Sequence, residues 1–135
     1  MKVIVDTSVW SLALRRDSPV DDSRVIACRR LIVDGRVAML GPIRQEVLSG
    51  IRHRPQFEKL RSCLSAFPDL SLETRDWESA AECFNVCRSR GIQGANTDFL
   101  ICAVAMRTRY EILSSDNDFI GFGSVLPIRR YDPST

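Results

Sequence analysis

Four carboxylates stand where apolar segments stop or turn. Asp6 follows Val3-Ile4-Val5, Glu46 lies in Pro42-Ile43-Arg44-Gln45-Glu46-Val47-Leu48-Ser49-Gly50, Asp98 opens Asp98-Phe99-Leu100-Ile101-Cys102-Ala103-Val104, and Asp116 follows Ile112-Leu113-Ser114-Ser115. An acid taken into a core is costly unless it is paired, hydrogen-bonded or bound to a metal. Singly, each has an ordinary explanation. Asp6 fits a turn or helix-cap acid. It also fits a phosphate-accepting Asp, a dehalogenase-type phosphotransferase Asp, or a metal ligand. The two phosphoryl chemistries usually need a Lys late in the chain, and none follows Lys59. The dehalogenase-type pattern also wants a second Asp two residues on, where Ser8 stands. The metal reading is left.

Glu46 taken alone reads as a solvated helix acid. At roughly 100° per residue, though, it falls beside the apolar arc of Ile43, Val47 and Ile51 rather than opposite it, with the open space of Gly50 one turn on. Asn96 is a good N-cap, which puts Asp98 at the second helical position, where free N–H groups and the helix dipole favour an anion. That accounts for the acid but not for the apolar helix behind it. Asp116 and Asp118, in Ser114-Ser115-Asp116-Asn117-Asp118-Phe119, fit a turn and cap or a pair of ligands equally well. An EF-hand calcium loop is excluded, because no Gly or distal Glu falls at the required spacing.

Together, Asp6, Glu46, Asp98 and Asp116 end separate elements. Such a cluster repels itself unless cations neutralise it. All-oxygen donors suit Mg²⁺ or Mn²⁺, not zinc. Neutralising four acids leaves thirteen against nineteen basic residues, a surplus of six that favours a polyanionic substrate. The chemistry that follows is phosphodiester hydrolysis, with metal ions activating a water and stabilising the departing oxygen.

The elements that must position these acids alternate. Lys2-Val3-Ile4-Val5 reads as a central parallel strand. A short helix follows through Val9, Trp10, Leu12, Ala13 and Leu14, with Thr7 or Ser8 able to cap it. Asp21 and Asp22 open a second helix that ends at Asp34-Gly35. Val37 to Leu40 is a strand, and Gly41-Pro42 starts the Glu46 helix. Helices are predicted from Pro55 to Phe67, from Trp77 to Arg90, and from the Asp98 region to about Arg109. Brief strands are expected at Leu70 to Leu72, Glu111 to Ser114, and Val125 to Ile128, the last at an edge because it holds Pro127. Strand–helix alternation without linker or repeat implies one domain, residues 1–135, with a parallel sheet flanked by helices. In such sheets reactive groups gather beyond the carboxyl ends of the strands.

Composition sets the outer bounds. Hydrophobic residues make up 44% and charged residues 27% of 135, a globular balance. The net charge of +2 says little about partners, and the excess of Arg over Lys fits either phosphate recognition or genome composition. No apolar run is long enough to span a bilayer. The Val3-Ile4-Val5 run, stopped by Asp6, is far short of a secretory signal. Cys28, Cys63, Cys83, Cys87 and Cys102 have no disulfide-framework spacing, which fits a reducing, cytoplasmic setting. Cys83 and Cys87 share a helical face, but with His53 the only histidine they read as core residues rather than a zinc site.

Read as motifs, Val3-Ile4-Val5-Asp6-Thr7-Ser8-Val9-Trp10, Glu46-Val47-Leu48-Ser49-Gly50, Asn96-Thr97-Asp98-Phe99-Leu100-Ile101-Cys102-Ala103-Val104-Ala105 and Leu113-Ser114-Ser115-Asp116-Asn117-Asp118-Phe119 resemble, in order and spacing, those of PIN-domain ribonucleases. They are most similar to the VapC-type toxins of bacterial toxin–antitoxin modules. The resemblance covers essentially the whole chain. It implies a three-layer α/β domain with a five-stranded parallel sheet between helices. It also implies Mg²⁺- or Mn²⁺-dependent cleavage of RNA, a homodimer, and neutralisation by a VapB-type antitoxin whose tail enters the acidic site. Asp6, Glu46, Asp98 and Asp116 match the catalytic acids, Thr7 or Ser8 the hydroxyl beside the first, and Asp118 an auxiliary acid. We assign Asp6, Asp98 and Asp116 to metal and Glu46 to the attacking water. The segment Ile51-Arg52-His53-Arg54-Pro55, with Arg44 and Arg61, fits phosphate contact or a solvated basic surface. Trp10 and the first helices fit a dimer or antitoxin surface, or ordinary core. Two other readings remain open: an inactive RNA-binding PIN scaffold, which would be expected to have lost its acids, and a DNA-directed metal nuclease.

Overall fold

The computed structural model describes residues 1–14 and 21–134. At its centre lies β1 (Val3–Val5), three β-branched residues with no exposed surface. A strand buried on both faces needs this composition. It is flanked by β2 (Val37–Ala38) and β3 (Glu111–Leu113), both parallel to it, in the order β2-β1-β3. The register pairs Ile4 with Ala38 on one side and with Ile112 on the other.

The five-stranded sheet expected from the motifs is not formed: among the described residues there are three strands. Each outer position is reduced to one parallel bridge, Met39 with Asp69 and Ile112 with Arg130. The outer residues, Asp69 and Arg130, both fall outside the predicted strands. Leu70 gives its N–H to the Met39 carbonyl at 2.8 Å and pairing goes no further. Residues 125 and 126 are instead drawn into a turn, both amides bonding the Phe122 carbonyl, and Pro127 has no N–H to give. The chain reaches β3 only at Arg129 to Tyr131, where the Arg129 carbonyl and the Tyr131 N–H bond Ile112.

Seven helices enclose the sheet in the described residues: α1 (Thr7–Leu14), α2 (Ser23–Val33), α3 (Gly41–Leu48), α4 (Arg54–Leu64), α5 (Thr74–Ser89), α6 (Asn96–Thr108) and α7 (Asp118–Gly123). Asp22 is the N-cap of α2, accepting the Arg24 N–H at 2.8 Å. Pro42 sits in the first turn of α3, as expected of a residue whose missing N–H has no helical partner there. The α4 helix stops at Leu64, three residues short of the predicted end. The last, α7, is a helix that the sequence did not suggest: Asp-Phe-Ile-Gly-Phe-Gly has poor helix propensity, and burial of Phe119 and Phe122 holds it.

The innermost helix is α6, with every residue from Phe99 to Ala105 buried. It packs against α5, from which Cys83 and Cys87 also point inward, so the core reading of those cysteines holds. The α5–α6 pair is tied at its far end by buried Asp76, which accepts from the Arg107 guanidinium at 2.6 Å and the Glu73 N–H at 2.9 Å. Burial alone would raise the Asp76 pKa, but the hydrogen bonds from Arg107 and the Glu73 N–H, with the positive fields of Arg107 and Arg75, together outweigh it and leave it lowered. Trp10 is core, 1% exposed, its ring 5.3 Å from that of Phe67. No described helix is long and apolar enough to cross a membrane.

Candidate active site

Asp6 sits one residue past the end of β1, and its N–H bonds the Leu113 carbonyl at 2.9 Å. Its backbone is thus an extra rung between β1 and β3, and its side chain is 5% exposed. One carboxylate oxygen, Oδ2, accepts from Ser8 Oγ at 2.8 Å and Ser114 Oγ at 2.9 Å. Those two hydroxyls lie 3.3 Å apart. Ser8 Oγ also accepts the Ser115 N–H at 3.1 Å, and Ser114 Oγ accepts the Asp116 N–H at 2.9 Å. A hydroxyl both donates and accepts, so two serines join the end of β1 to the loop carrying Asp116. Ser114 is the residue sequence reasoning missed. It was read only as part of the Asp116 turn, and its side-chain partner lies 108 positions away.

The α3 helix brings Glu46, which is exposed and accepts the Thr7 hydroxyl at 2.7 Å. Arg44, read from sequence as fitting phosphate contact or a solvated basic surface, is spent on structure. Its Nε reaches Asp69 at 3.0 Å, and its two terminal nitrogens bond the Leu64 and Phe67 carbonyls. Arg54 and Arg61 both pair with Glu58 along α4. Exposed His53 is the residue before α4.

The α6 helix brings Asp98. The helix starts one residue earlier than predicted: Ala95 is the capping position and Asp98 the third helical residue. From there its Oδ2 reaches back to accept the Ala95 N–H at 2.9 Å, one half of a capping box. Next to it, Phe99 packs on Phe122 at 5.0 Å, and Phe122 on Phe119 at 5.2 Å, so one aromatic cluster fixes both the start of α6 and α7. Gly94 lies under that cluster, and a Cβ there would stand 2.6 Å from the Phe122 ring.

Asp6, Glu46, Asp98 and Asp116 line a single open cleft of about 620 Å³, with Thr7, Ser8, Ser49 and Thr97 among its hydroxyls. Asp118 is not in that lining. It is exposed at the start of α7, and its N–H bonds Asp116 Oδ1 at 2.9 Å. Among the described residues no Lys, Arg or His lines the cleft. The electrostatic consequence falls on Asp98, whose pKa is pushed up to about 6, first by burial and then by the negative fields of Asp6, Asp116 and Glu46, against the Ala95 hydrogen bond. Four carboxylates without a neutralising side chain are chemically a hard-cation donor set. Among the described residues no three His, Cys, Asp or Glu side chains stand close enough together to hold a metal ion between them. An open arrangement suits a cation that keeps several of its waters and takes few protein oxygens, as Mg²⁺ does.

A family model described as PIN domain matches residues 3–123. The VapC ribonuclease Mb1587 of Mycobacterium bovis and the ribonuclease VapC11 of Mycobacterium tuberculosis are each 30% identical over 122 residues, covering 87% of this chain and 88% of theirs. Among solved structures, FitAcB from Neisseria gonorrhoeae superposes with a TM-score of 0.75 at 18% identity, covering 98% of both chains. The VapBC2 structure from Rickettsia felis, bound to a DNA fragment from their promoter, gives 0.74 at 15% identity, over 98% of this chain and all of that one. At those identities the structures support the fold, while the family model and the mycobacterial relatives carry the assignment. By the family model the chain belongs to the PIN-domain family, and by the mycobacterial relatives it is of the VapC type.

Proposed function

We propose that this chain is a Mg²⁺- or Mn²⁺-dependent endoribonuclease, the toxin of a type II toxin–antitoxin module, working as a homodimer and neutralised by a VapB-type antitoxin. The observation that carries the reading is the cleft itself: four acids from the end of β1, α3, α6 and the loop after β3, with no basic side chain among the described residues that line it. Relatives named as VapC ribonucleases support RNA as substrate. Asp6, Asp98 and Asp116 would hold the cation, directly or through water. When bound, it supplies a water of lowered pKa and a counter-charge for the departing oxygen.

The chain's own part is positioning. Ser8 and Ser114 fix one oxygen of Asp6 and leave the other for a cation. Thr7 holds Glu46 by one oxygen, and the other is free to orient the attacking water and take its proton. No histidine lines the cleft to compete for that role. If Glu46→Gln left cleavage and metal affinity untouched, this division of roles would be wrong.

The decisive experiment incubates the purified full chain with total cellular RNA and, separately, with DNA, in Mg²⁺, Mn²⁺ or chelator. RNA cleavage that needs metal and is lost in Asp98→Asn is expected. Cleavage of DNA instead would favour the DNA-directed nuclease, and RNA binding without cleavage would favour the scaffold. Growth arrest on expression, relieved by a small neighbouring gene, tests the toxin role separately. Metal binding has its own readout. Mn²⁺ at a hundred times its Kd should raise stability by about 2.7 kcal/mol, and the gain should be largely absent in Asp98→Asn.

A further inference from the structure

The acidic cleft lies at the carboxyl ends of the parallel strands, and the amino ends carry the opposite charge. Lys2 precedes β1, Arg36 precedes β2, and Arg109 stands two residues before β3. Arg130 is bridged in parallel to Ile112, which puts Arg129 beside the start of β3. Parallel register thus gathers five basic residues, scattered from position 2 to position 130, along one edge of the sheet. Glu111 is the acid among these strand starts, with Asp34 and Asp132 at the margins.

Three observations set this edge apart from an ordinary solvated surface. Arg24, Arg44, Arg54, Arg61, Arg75 and Arg107 are each ion-paired, whereas among the described residues Lys2, Arg36, Arg109, Arg129 and Arg130 enter no ion pair. Two of the unpaired guanidiniums are also held in place. Arg36 Nε donates to the Met1 carbonyl at 2.8 Å, and its guanidinium lies 5.9 Å over the Tyr131 ring. Arg129 bonds the Arg109 carbonyl and reaches Met1 Sδ at 4.0 Å. Like charges are therefore pinned around one residue, and a guanidinium has five N–H donors, so most of each fork is left over. The third observation is the backbone of Arg109, which sits just past α6 with φ 62°. Helix ends commonly place Gly in this left-handed conformation, and an Arg there costs stability. It is the one non-Gly residue with positive φ among the described residues. A strained position that keeps a basic side chain points to a use for that side chain.

We propose that this edge is a second RNA-binding surface, which takes the phosphate backbone by charge and anchors a substrate long enough to reach both ends of the domain. The inference rests on the ribonuclease reading for the identity of the polyanion, and adds where the positive charge that holds it lies. The described lining of the cleft has no cation of its own to offer a phosphate. Arg forks match phosphate oxygens in pairs. Backbone contacts of this kind supply affinity and orientation without reading sequence. By the size scaling of compact chains the domain is about 35 Å across. A hexanucleotide stacked at about 3.4 Å per nucleotide spans only about 20 Å, so it occupies the cleft alone, whereas a long RNA engages both ends.

The test separates binding from cleavage and uses the full chain. A labelled single-stranded uridine 40-mer is titrated into the Asp98→Asn protein in chelator, where the remaining cleft acids repel RNA, so anisotropy reports binding elsewhere. Adding Arg109→Gly and Arg129→Gln should weaken that binding by roughly 10- to 30-fold at 0.1 M salt, and lower the slope of log affinity against log salt by about 1.4. Arg109→Gly alone should weaken binding while the melting temperature holds or rises, since glycine adopts positive φ freely. A purely structural Arg109 would not separate the two. Arg52→Gln with Lys59→Gln, on the exposed basic segment that leads into α4, should leave affinity largely unchanged. In the cleaving protein, the Arg109 and Arg129 changes should raise KM for a long substrate RNA but not for a hexamer cut out around the same bond. The surface is overturned if those changes leave 40-mer binding as it was, or if the Arg52 and Lys59 changes cost more. Tighter binding of a DNA 40-mer, or equal displacement of RNA by polyglutamate, also overturns it, by assigning the edge to DNA or to an acidic protein segment. If the protein cleaves no RNA but binds the 40-mer through Arg109 and Arg129, the ribonuclease reading fails and the surface stands. If it cleaves RNA and those changes alter neither binding nor KM, the reverse holds.

Discussion

Asp98 carries the electrostatic cost of the cleft. Its pKa rises on folding from the ordinary 3.8 to about 6, so between those values the folded chain binds more protons than the unfolded one. Stability therefore falls as pH climbs through that window and stays lower above it. In chelator, Asp98→Asn should stabilise the protein at pH 7.5 by about 1 kcal/mol, discounted for partial exposure, with little gain near pH 3.5. Urea melts at the two pH values check this, and a gain independent of pH would refute it. Ser114 is the complementary case. Removing its hydroxyl in Ser114→Ala takes away one of the two donors to Asp6 Oδ2 and frees the Asp116 N–H, and should weaken metal affinity and cleavage by about 10- to 100-fold. Calorimetric Mn²⁺ titration reads it directly, and Ser114→Thr should recover most of the loss. The four acids could be read from sequence because their types and neighbours are unusual where they stand. The Ser114 hydrogen bond could not, because only the parallel pairing of β1 with β3 brings it to Asp6.

Single elements are held by contacts that sequence periodicity does not encode. The α3 helix is eight residues long, and its place depends on Arg44 binding the Leu64 and Phe67 carbonyls and Asp69. Arg44→Ala should cost about 2–3 kcal/mol, as charge-assisted hydrogen bonds to half-buried carbonyls are lost. Cleavage should also fall, because Glu46 rides on the same helix. Denaturant midpoints measure the first effect, and a loss under about 0.5 kcal/mol would show that the clamp is dispensable. In sequence Arg44 looked like one more member of a basic segment. Its partners lie 20 to 25 positions away and are mostly carbonyls, which have no sequence signature. The two missing strands have a similar cause. Apolar runs were present, but Pro127 has no N–H to donate, and the single bridges form beside the runs, at Asp69 and Arg130.

Across the whole molecule, the alternation of strand and helix was enough to place Asp6 and Asp116 at neighbouring strand ends, and the apolar run after Asp98 was enough to make α6 central. What it left out was how unequally the cleft is supported. Asp6 and Asp98 grow from β1 and α6, the most deeply buried elements, whereas Glu46, Gln45 and Ser49 line the same cleft from an exposed helix face. Among the described residues Thr7 alone links the carboxylate of Glu46 to the buried side. In terms of amide hydrogen exchange, the N–H groups of Val5 and Asp6 should exchange only through global unfolding, and those of residues 45–48 through local opening several kcal/mol cheaper. Thr7→Ala should speed exchange in residues 45–48 and leave β1 unchanged. The cleft would then have one wall that keeps its shape for the lifetime of the fold and another that breathes many times within it, joined by a single hydroxyl.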